Sequence, residues 1–201
     1  MLHFKCAKLI FLLAWTVLDT NSKFTGEFMQ IKPLVASEQK YWQNVYIEAF
    51  PAYERIAFSE LLTRQLEETT LKLSILWADG QNVGILVNVE LEAKKTFILY
   101  LAIDPKIRSA GYGSRTLSLL KELYPGGVIL ESEQIGTSAE NETQRVRRYN
   151  FYQKNGLLDT GYLTKNLGGI FHLLASEATV TLDDYLLASK SLGIDVVIGE
   201  K

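Results

Sequence analysis

The stretch KIRSAGYGSRTL, residues 106–117, has an arginine and two near-adjacent glycines directly before a helical pattern. A loop that leaves a central strand and enters a helix directs several backbone N–H groups at one spot, where the helix dipole adds partial positive charge. Gly111 and Gly113 have no Cβ atoms, so an anion can approach the backbone closely, and Arg108 adds a full charge. The stretch therefore predicts an anion site, with a pyrophosphate as the expected ligand.

Two common nucleotide-binding motifs do not match this stretch. A P-loop places Lys and then Ser or Thr directly after its last glycine, whereas Ser114 and Arg115 follow Gly113. A dinucleotide fingerprint needs a third glycine at the position of Thr116. Taken alone, the motif is also compatible with an irregular strand-to-helix turn that binds no ligand. The choice between these two interpretations depends on the surrounding elements.

The surrounding pattern predicts an alternation of strands and helices. TFILYLAI, residues 96–103, is an almost continuous apolar run, typical of a central strand buried on both faces, and a helix over 114–124 follows it. The other predicted elements are a strand over 30–35, helices over 38–50 and 58–67, a hairpin of 71–78 with 83–91, a strand over 128–133, a helix opened by a capping box of Thr137 and Glu140, a hairpin of 160–163 with 170–175, and a helix and strand within 183–198. This order predicts an α/β (α+β) fold with a mixed, mostly antiparallel central sheet flanked by helices.

The composition is that of one globular domain. The chain has 201 residues, of which 47% are hydrophobic and 22% charged, which is enough for a sizeable core. A formal net charge of −2 disfavours a nucleic-acid partner. Cys6 is the only cysteine, which excludes an internal disulfide framework and suits a reducing, cytoplasmic compartment. His3 and His172 are too few to indicate a metal site.

The first 28 residues need a separate interpretation. Lys5 and Lys8 precede an apolar run over 9–18, as in a secretory signal, but the run is too short to span a bilayer and no clean cleavage site follows. Met29 is the only other methionine, and the Gly-Glu pair at 26–27 must be encoded by GGNGAR, which resembles a bacterial ribosome-binding site. We expect translation to start at Met29, with 1–28 as an extension outside the fold and 29–201 as a single domain. A genuine leader and a structural helix are the alternatives.

Two segments carry a resemblance to a known family. Residues 101–113, LAIDPKIRSAGYG, resemble the acetyl-CoA motif of the GNAT superfamily of N-acetyltransferases, Arg/Gln-x-x-Gly-x-Gly/Ala after a strand. Residues 148–157, RYNFYQKNGL, resemble its second hallmark, an aromatic-Tyr pair on a helix that ends in Gly-Phe, with Leu157 in place of the Phe. The resemblance covers residues 29–175 in element order and implies the GNAT fold. Arg145 stands where many relatives carry an Asn that contacts the cofactor.

The resemblance implies that acetyl-CoA is the cofactor and assigns the residues that bind it. Backbone groups at the end of the central strand would hold the pantetheine arm and polarise the acetyl carbonyl, and the following loop and first helical turn would hold the pyrophosphate. The residues assigned in this way are Leu101, Ala102, Ile103, Arg108, Ser109, Ala110, Gly111, Tyr112, Gly113 and Ser114.

Acetyl transfer to an amine needs a neutral amine, stabilisation of an oxyanion and a proton for the departing thiolate. The resemblance implies that Tyr152 is the general acid, because a phenol with a pKa of about 10 is protonated at neutral pH. Packing alone is its alternative role. Glu131 and Glu133 are two residues apart on a strand and share a face. They are interpreted as a catalytic base, as a site for a cationic substrate, or as the polar end of the strand.

The expected activity is N-acetyl transfer. Glu48, Glu54 and Arg55 lie in the region that covers the acceptor in the GNAT family, and they are either substrate contacts or solvated helix ends. The resemblance implies a bacterial-like, cytoplasmic enzyme that moves the acetyl group of acetyl-CoA to a primary amine of a small molecule or peptide by direct attack in a ternary complex. This activity needs no metal and no membrane, and it is compatible with a homodimer. The alternative is a non-catalytic acyl-CoA sensor with the same fold.

Overall fold

Eight strands form one sheet in the computed structural model, which describes residues 29–107 and 110–200. The strands are β1 (Met29–Pro33), β2 (Leu71–Ala78), β3 (Gln81–Leu91), β4 (Lys95–Ile103), β5 (Gly127–Glu133), β6 (Leu158–Asn166), β7 (Gly169–Ala175) and β8 (Val197–Glu200). Their order across the sheet is β1-β2-β3-β4-β5-β7-β6-β8, and of these neighbours β4 and β5 alone run parallel. The expectations made for residues 1–28, Arg108 and Ser109 lie outside the described residues.

Five α-helices cover the two faces of the sheet: α1 (Gln39–Ala49), α2 (Phe58–Glu67), α3 (Tyr112–Leu123), α4 (Glu142–Lys154) and α5 (Leu182–Ser191). Alternate residues of each strand point to opposite faces, so neighbours such as Ile75 and Leu76 enter different cores. One core contains buried side chains of α1, α2 and α5, and the other contains those of α3 with the aromatic residues of α4 against it. Among the described residues, no helix has both the length and the apolar character needed to cross a membrane.

The predicted fold class is confirmed, and two helix starts differ from the prediction. Helix α3 begins at Tyr112 rather than at 114, because Gly111 has a φ of 76° and acts as its N-cap. The prediction of a capping box formed by Thr137 and Glu140 was wrong, since α4 begins at Glu142. The hydroxyl of Thr137 instead donates to the Glu142 carboxylate over 2.9 Å, so the two side chains close the loop before the helix.

A β-bulge at Leu99 separates the two parallel strands. Pairing between β3 and β4 steps from Val87 with Tyr100 to Asn88 with Ile98, which leaves Leu99 as an extra residue. Strands β4 and β5 pair only as far as Ile98 with Leu130, although both continue beyond this point. Because a bulge bends its strand, β4 leaves β5 here and a cleft opens between them.

Candidate active site

The cleft between the separated ends of β4 and β5 has a volume of about 470 Å³. The N-terminus of α3, the side of α4 and the connection between α1 and α2 complete its walls. The residues predicted from sequence that line it are Leu101, Ala102, Ile103, Gly111, Tyr112, Gly113, Glu131, Glu133 and Tyr152. Ala110 is exposed just before α3, and Ser114 lies in its first turn. The two sequence motifs therefore meet in one cleft.

Strand β4 offers unpaired backbone groups to the cleft. The N–H of Asp104 donates to the carbonyl oxygen of Val83 over 2.9 Å, so this end of β4 hydrogen-bonds to β3. Along an antiparallel ladder the bonding direction alternates, which turns the backbone of Ala102 toward β3 and that of Leu101 and Ile103 the other way. On that other side β5 has already departed. Leu101 and Ile103 therefore present N–H and C=O groups that an extended amide-containing ligand can pair with.

The first turn of α3 presents a second set of backbone donors. The N–H of Arg115 makes the first intrahelical bond, to the carbonyl oxygen of Gly111 over 3.0 Å. The N–H groups of Gly113 and Ser114 precede it and so have no acceptor within the helix. A Cβ added at Gly111 would meet no atom of the described residues within 4 Å, so these donors adjoin open space in that part of the structure. Together with the helix dipole, they form a cradle for an anion.

Side-chain contacts fix the position of this helix start. The Tyr112 hydroxyl donates to Asp79 in the turn between β2 and β3 over 2.8 Å, and Arg115 lies 3.4 Å from the same carboxylate. Hydrogen bonds from Tyr112 and then Arg115 lower the pKa of Asp79 below its ordinary value. The ring of Tyr112 is therefore a structural anchor for the start of α3. A Cβ at Gly113 would lie 3.0 Å from the ring of Phe151, so this glycine lets α3 and α4 pack closely.

Tyr152 lines the cleft from α4, and its hydroxyl makes no hydrogen bond to any residue within 29–107 and 110–200. Burial raises the pKa of Tyr152, and the positive charge of Arg148 opposes part of that rise. The phenol is therefore protonated at neutral pH and its proton is not committed elsewhere. Both properties are those that a general acid needs.

Glu131 is the centre of a hydrogen-bond network at the floor of the cleft. Its Oε1 atom accepts from Asn166 over 2.7 Å, from Tyr185 over 2.7 Å and from Thr164. Burial raises the pKa of the Glu131 carboxyl, and the bonds from Thr164, Tyr185 and Asn166 pull it back. A carboxylate with a raised pKa in a cleft is a candidate proton acceptor.

Glu133 has different surroundings from Glu131. Its carboxylate is paired with Arg148, lies 3.3 Å from Nε of Arg145, and accepts from Asn141 over 3.3 Å. These contacts fasten the start and middle of α4 to the end of β5. The guanidinium of Arg145 is therefore turned to Glu133. The two glutamates thus divide into a carboxylate held by neutral donors and one held by cations.

The connection between α1 and α2 closes the other side of the cleft and is held by Tyr100. The Tyr100 hydroxyl donates to the Glu54 carbonyl oxygen over 2.6 Å and accepts from the Ile56 N–H over 3.2 Å. Its ring packs edge-on against Phe50, with ring centroids 4.9 Å apart. Of the acceptor-side residues considered from sequence, Glu54 lines this cleft, whereas Arg55 lines a separate groove beside α2 and Glu48 is exposed.

Sequence reasoning missed the partners of Glu131. Thr164 and Asn166 are two residues apart on β6, and this spacing of polar residues on one strand face was a usable signal. Tyr185 carried no such signal, because its hydroxyl reaches Glu131 across 54 positions of sequence.

No family model matches the chain, and no curated protein sequence matches it. Several solved structures do match the chain. A protein of Bacteroides thetaiotaomicron described as a GNAT-family acetyltransferase is 22% identical, with 81% of this chain and 95% of that chain covered and a TM-score of 0.65. An aminoglycoside 6′-N-acetyltransferase complexed with coenzyme A is 13% identical, with coverages of 77% and 98% and a TM-score of 0.58. A spermidine N-acetyltransferase chimera that includes the Vibrio cholerae protein is 13% identical, with coverages of 73% and 93% and a TM-score of 0.54. The chain therefore has the GNAT fold, as the two sequence motifs predicted.

Proposed function

We propose that this chain, which has the GNAT fold, is an N-acetyltransferase that moves the acetyl group of acetyl-CoA to a primary amine. The observation that carries the proposal is a single cleft lined by the N-terminus of α3, the end of β4 beyond its pairing with β5, the Tyr152 phenol and the Glu131 carboxyl. The coenzyme A bound to the aminoglycoside 6′-N-acetyltransferase with the same fold supports the choice of cofactor.

The residues of the cleft fit two parts of coenzyme A, the pyrophosphate and the pantetheine arm. The N–H groups of Gly113 and Ser114 suit the pyrophosphate, with Ala110, Gly111 and Tyr112 leading into the cradle. The free backbone groups of Leu101 and Ile103 suit the amides of the pantetheine arm, and Ala102 packs beside it. When bound, the thioester supplies an acetyl group activated for transfer to nitrogen. Arg108 and Ser109, which join these two sets in sequence, are proposed to contact the same phosphates.

Glu131 and Tyr152 are proposed to move the protons. Glu131 takes the first proton from the substrate ammonium, which frees the nitrogen lone pair. A bond then forms between nitrogen and the acetyl carbon, and the bond from that carbon to sulfur breaks. Tyr152 gives its proton to the sulfur and recovers one from the new amide nitrogen, so the net products are an amide, a free thiol and one proton. Glu133 keeps α4, and with it Tyr152, in register with β5.

The alternative function is a non-catalytic acyl-CoA sensor. The Tyr152 hydroxyl, which has no hydrogen-bond partner among the described residues, argues against it, since a sensor needs the cradle but not a protonated phenol in the cleft. We propose further that the protein acts in the cytoplasm on a small molecule or peptide, and that a homodimer is compatible with this activity.

Two measurements on the purified chain test the proposal. Calorimetric titration with coenzyme A should register saturable binding, and an assay for free thiol should show turnover of acetyl-CoA that depends on an added amine from a panel of alkylamines, polyamines, aminoglycosides, amino acids and peptides. Binding without turnover on any amine would support the sensor instead, and the absence of binding would overturn both functions.

A further inference from the structure

Glu131 lines the cleft together with the connection that follows α1 and the turn that joins β6 to β7, and the proposed role of Glu131 as the base makes this the acceptor end. This inference rests on the proposed acetyl transfer. We propose that the amine that accepts the acetyl group is a small monoamine with an apolar body, such as an arylalkylamine or alkylamine, and not a polyamine or an aminoglycoside. Three properties of this end carry the proposal: its charge balance, the state of its polar groups and the character of its walls.

The charge of the cleft matches one ammonium group. Among the described residues that line it, the charged side chains are three carboxylates and two guanidiniums, namely Glu54, Glu131, Glu133, Arg147 and Arg148. Glu133 is already paired with Arg148. A substrate with three or more positive charges would meet two guanidiniums and too few carboxylates, and like charges repel strongly in a partly desolvated cleft. A single cation needs one carboxylate, and Glu131 supplies it.

The Tyr100 hydroxyl and the Asn166 amide, two polar groups of the cleft, already make hydrogen bonds within the protein. The Tyr100 hydroxyl is occupied by the connection between α1 and α2, where it contacts Glu54 and Ile56. The Asn166 amide donates to Glu131 and to the Tyr185 hydroxyl over 3.1 Å. A substrate rich in hydroxyl or amino groups would give up its bonds to water on entering and would find these partners taken.

The cleft also has apolar walls. Ala49, Phe50, Leu99, Leu167 and Phe171 line the same cleft as Glu131 and come from four different parts of the chain. Leu99 points here because the bulge puts it and Tyr100 on the same side of β4. Apolar walls around one carboxylate favour an amine on an aliphatic or aromatic group, whose body is transferred from water as it binds.

The test compares kcat/KM for phenethylamine, hexylamine, spermidine and kanamycin at one acetyl-CoA concentration. We expect the two apolar monoamines to exceed spermidine and kanamycin by at least about tenfold, the scale on which apolar pockets discriminate. A preference for spermidine or kanamycin would overturn this inference, but it would still support the proposed acetyltransferase activity. Turnover with none of the four amines would overturn the inference, whereas the absence of turnover across the whole amine panel would also overturn the proposed acetyltransferase on which it rests.

A substitution in the wall of the cleft tests the same inference by changing the protein instead of the amine. Leu167 has a φ of 43°, a conformation that Asp tolerates, so Leu167→Asp adds a carboxylate to the apolar wall without straining the turn. We expect it to lower kcat/KM for phenethylamine and to raise that for spermidine, a change of about tenfold in their ratio. Leu66→Asp, on a side chain of α2 that is 87% exposed, is the matched control and should leave the ratio unchanged. An unchanged ratio in Leu167→Asp would contradict the assigned acceptor end.

Discussion

The buried hydroxyl of Tyr185 donates a 2.7 Å hydrogen bond to Oε1 of Glu131, which joins the last helix to the floor of the cleft. Because this bond favours the charged carboxylate, it lowers the pKa of Glu131 against the rise caused by burial. The ring of Tyr185 is fully buried in the core, so its replacement by Phe keeps the packing and removes only the hydroxyl.

The variant Tyr185→Phe should move the acid limb of the pH profile. Without this donor the pKa of Glu131 rises, so the base becomes deprotonated, and therefore active, only at higher pH. We expect the acid limb of kcat/KM to shift upward by roughly one pH unit, since a bond to a charged group is worth about 1.5–3 kcal/mol and one pKa unit about 1.4 kcal/mol. Tyr124→Phe is the control, because its hydroxyl donates to Glu90 away from the cleft. An acid limb that stays in place would count against Glu131 as the base.

The variant Glu131→Gln should stabilise the protein while it abolishes turnover. Burial raises the pKa of Glu131 in the fold, so ionising this group costs more there than in the unfolded chain. That cost lowers the free energy of unfolding above the folded pKa, and it is absent below the unfolded value, where the group is protonated in both states. The Gln oxygen can still accept from Thr164, Asn166 and Tyr185. We expect a higher Tm at about pH 7.5, little difference near pH 3.5, and a loss of at least about 100-fold in kcat.

The measurements are differential scanning calorimetry at the two pH values and the free-thiol assay. A lower Tm at neutral pH would mean that the charged carboxylate contributes stability, contrary to the direction of its pKa shift.

The variant Tyr152→Phe separates acid catalysis from binding. It removes a hydroxyl with no partner among the described residues, so neither the fold nor the cradle should change. We expect kcat to fall by about 100-fold or more, and calorimetry to give an unchanged Kd for coenzyme A. Full turnover in this variant would show that Tyr152 only packs, and a weakened Kd would assign it to cofactor binding.

The variant Gly111→Val tests the cradle. Gly111 has a φ of 76°, which a β-branched residue resists at a cost of about 1–2 kcal/mol, and the added side chain would occupy the space beside the N–H groups of Gly113 and Ser114. We expect the affinity for coenzyme A to fall by at least about tenfold. Gly161→Val is the matched control, because Gly161 has a φ of 87° and equally open surroundings but lies on β6. Equal affinities in the two variants would indicate that no anion binds at α3.

The sequence by itself determined the order of the elements and the side of the cleft that β4 and the start of α3 form. These features depend on local pattern: the apolar run of β4, the helical spacing after Gly113 and the turn chemistry around Asp79 act over a few residues. The predicted start of α4 was wrong. The side chain of Thr137 bonds to Glu142 and not to Glu140, the partner in the predicted capping box.

Tertiary structure alone decided how Glu131 and Glu133 differ. On the strand they are equivalent by spacing, but β6 and α5 bring neutral donors to Glu131, whereas α4 brings Arg145 and Arg148 to Glu133. The bulge at Leu99, which opens the cleft and directs the apolar wall toward Glu131, was also invisible in the run TFILYLAI. Register shifts and contacts across more than 50 positions arise from the pairing of distant strands and helices, and no periodicity within one segment records them.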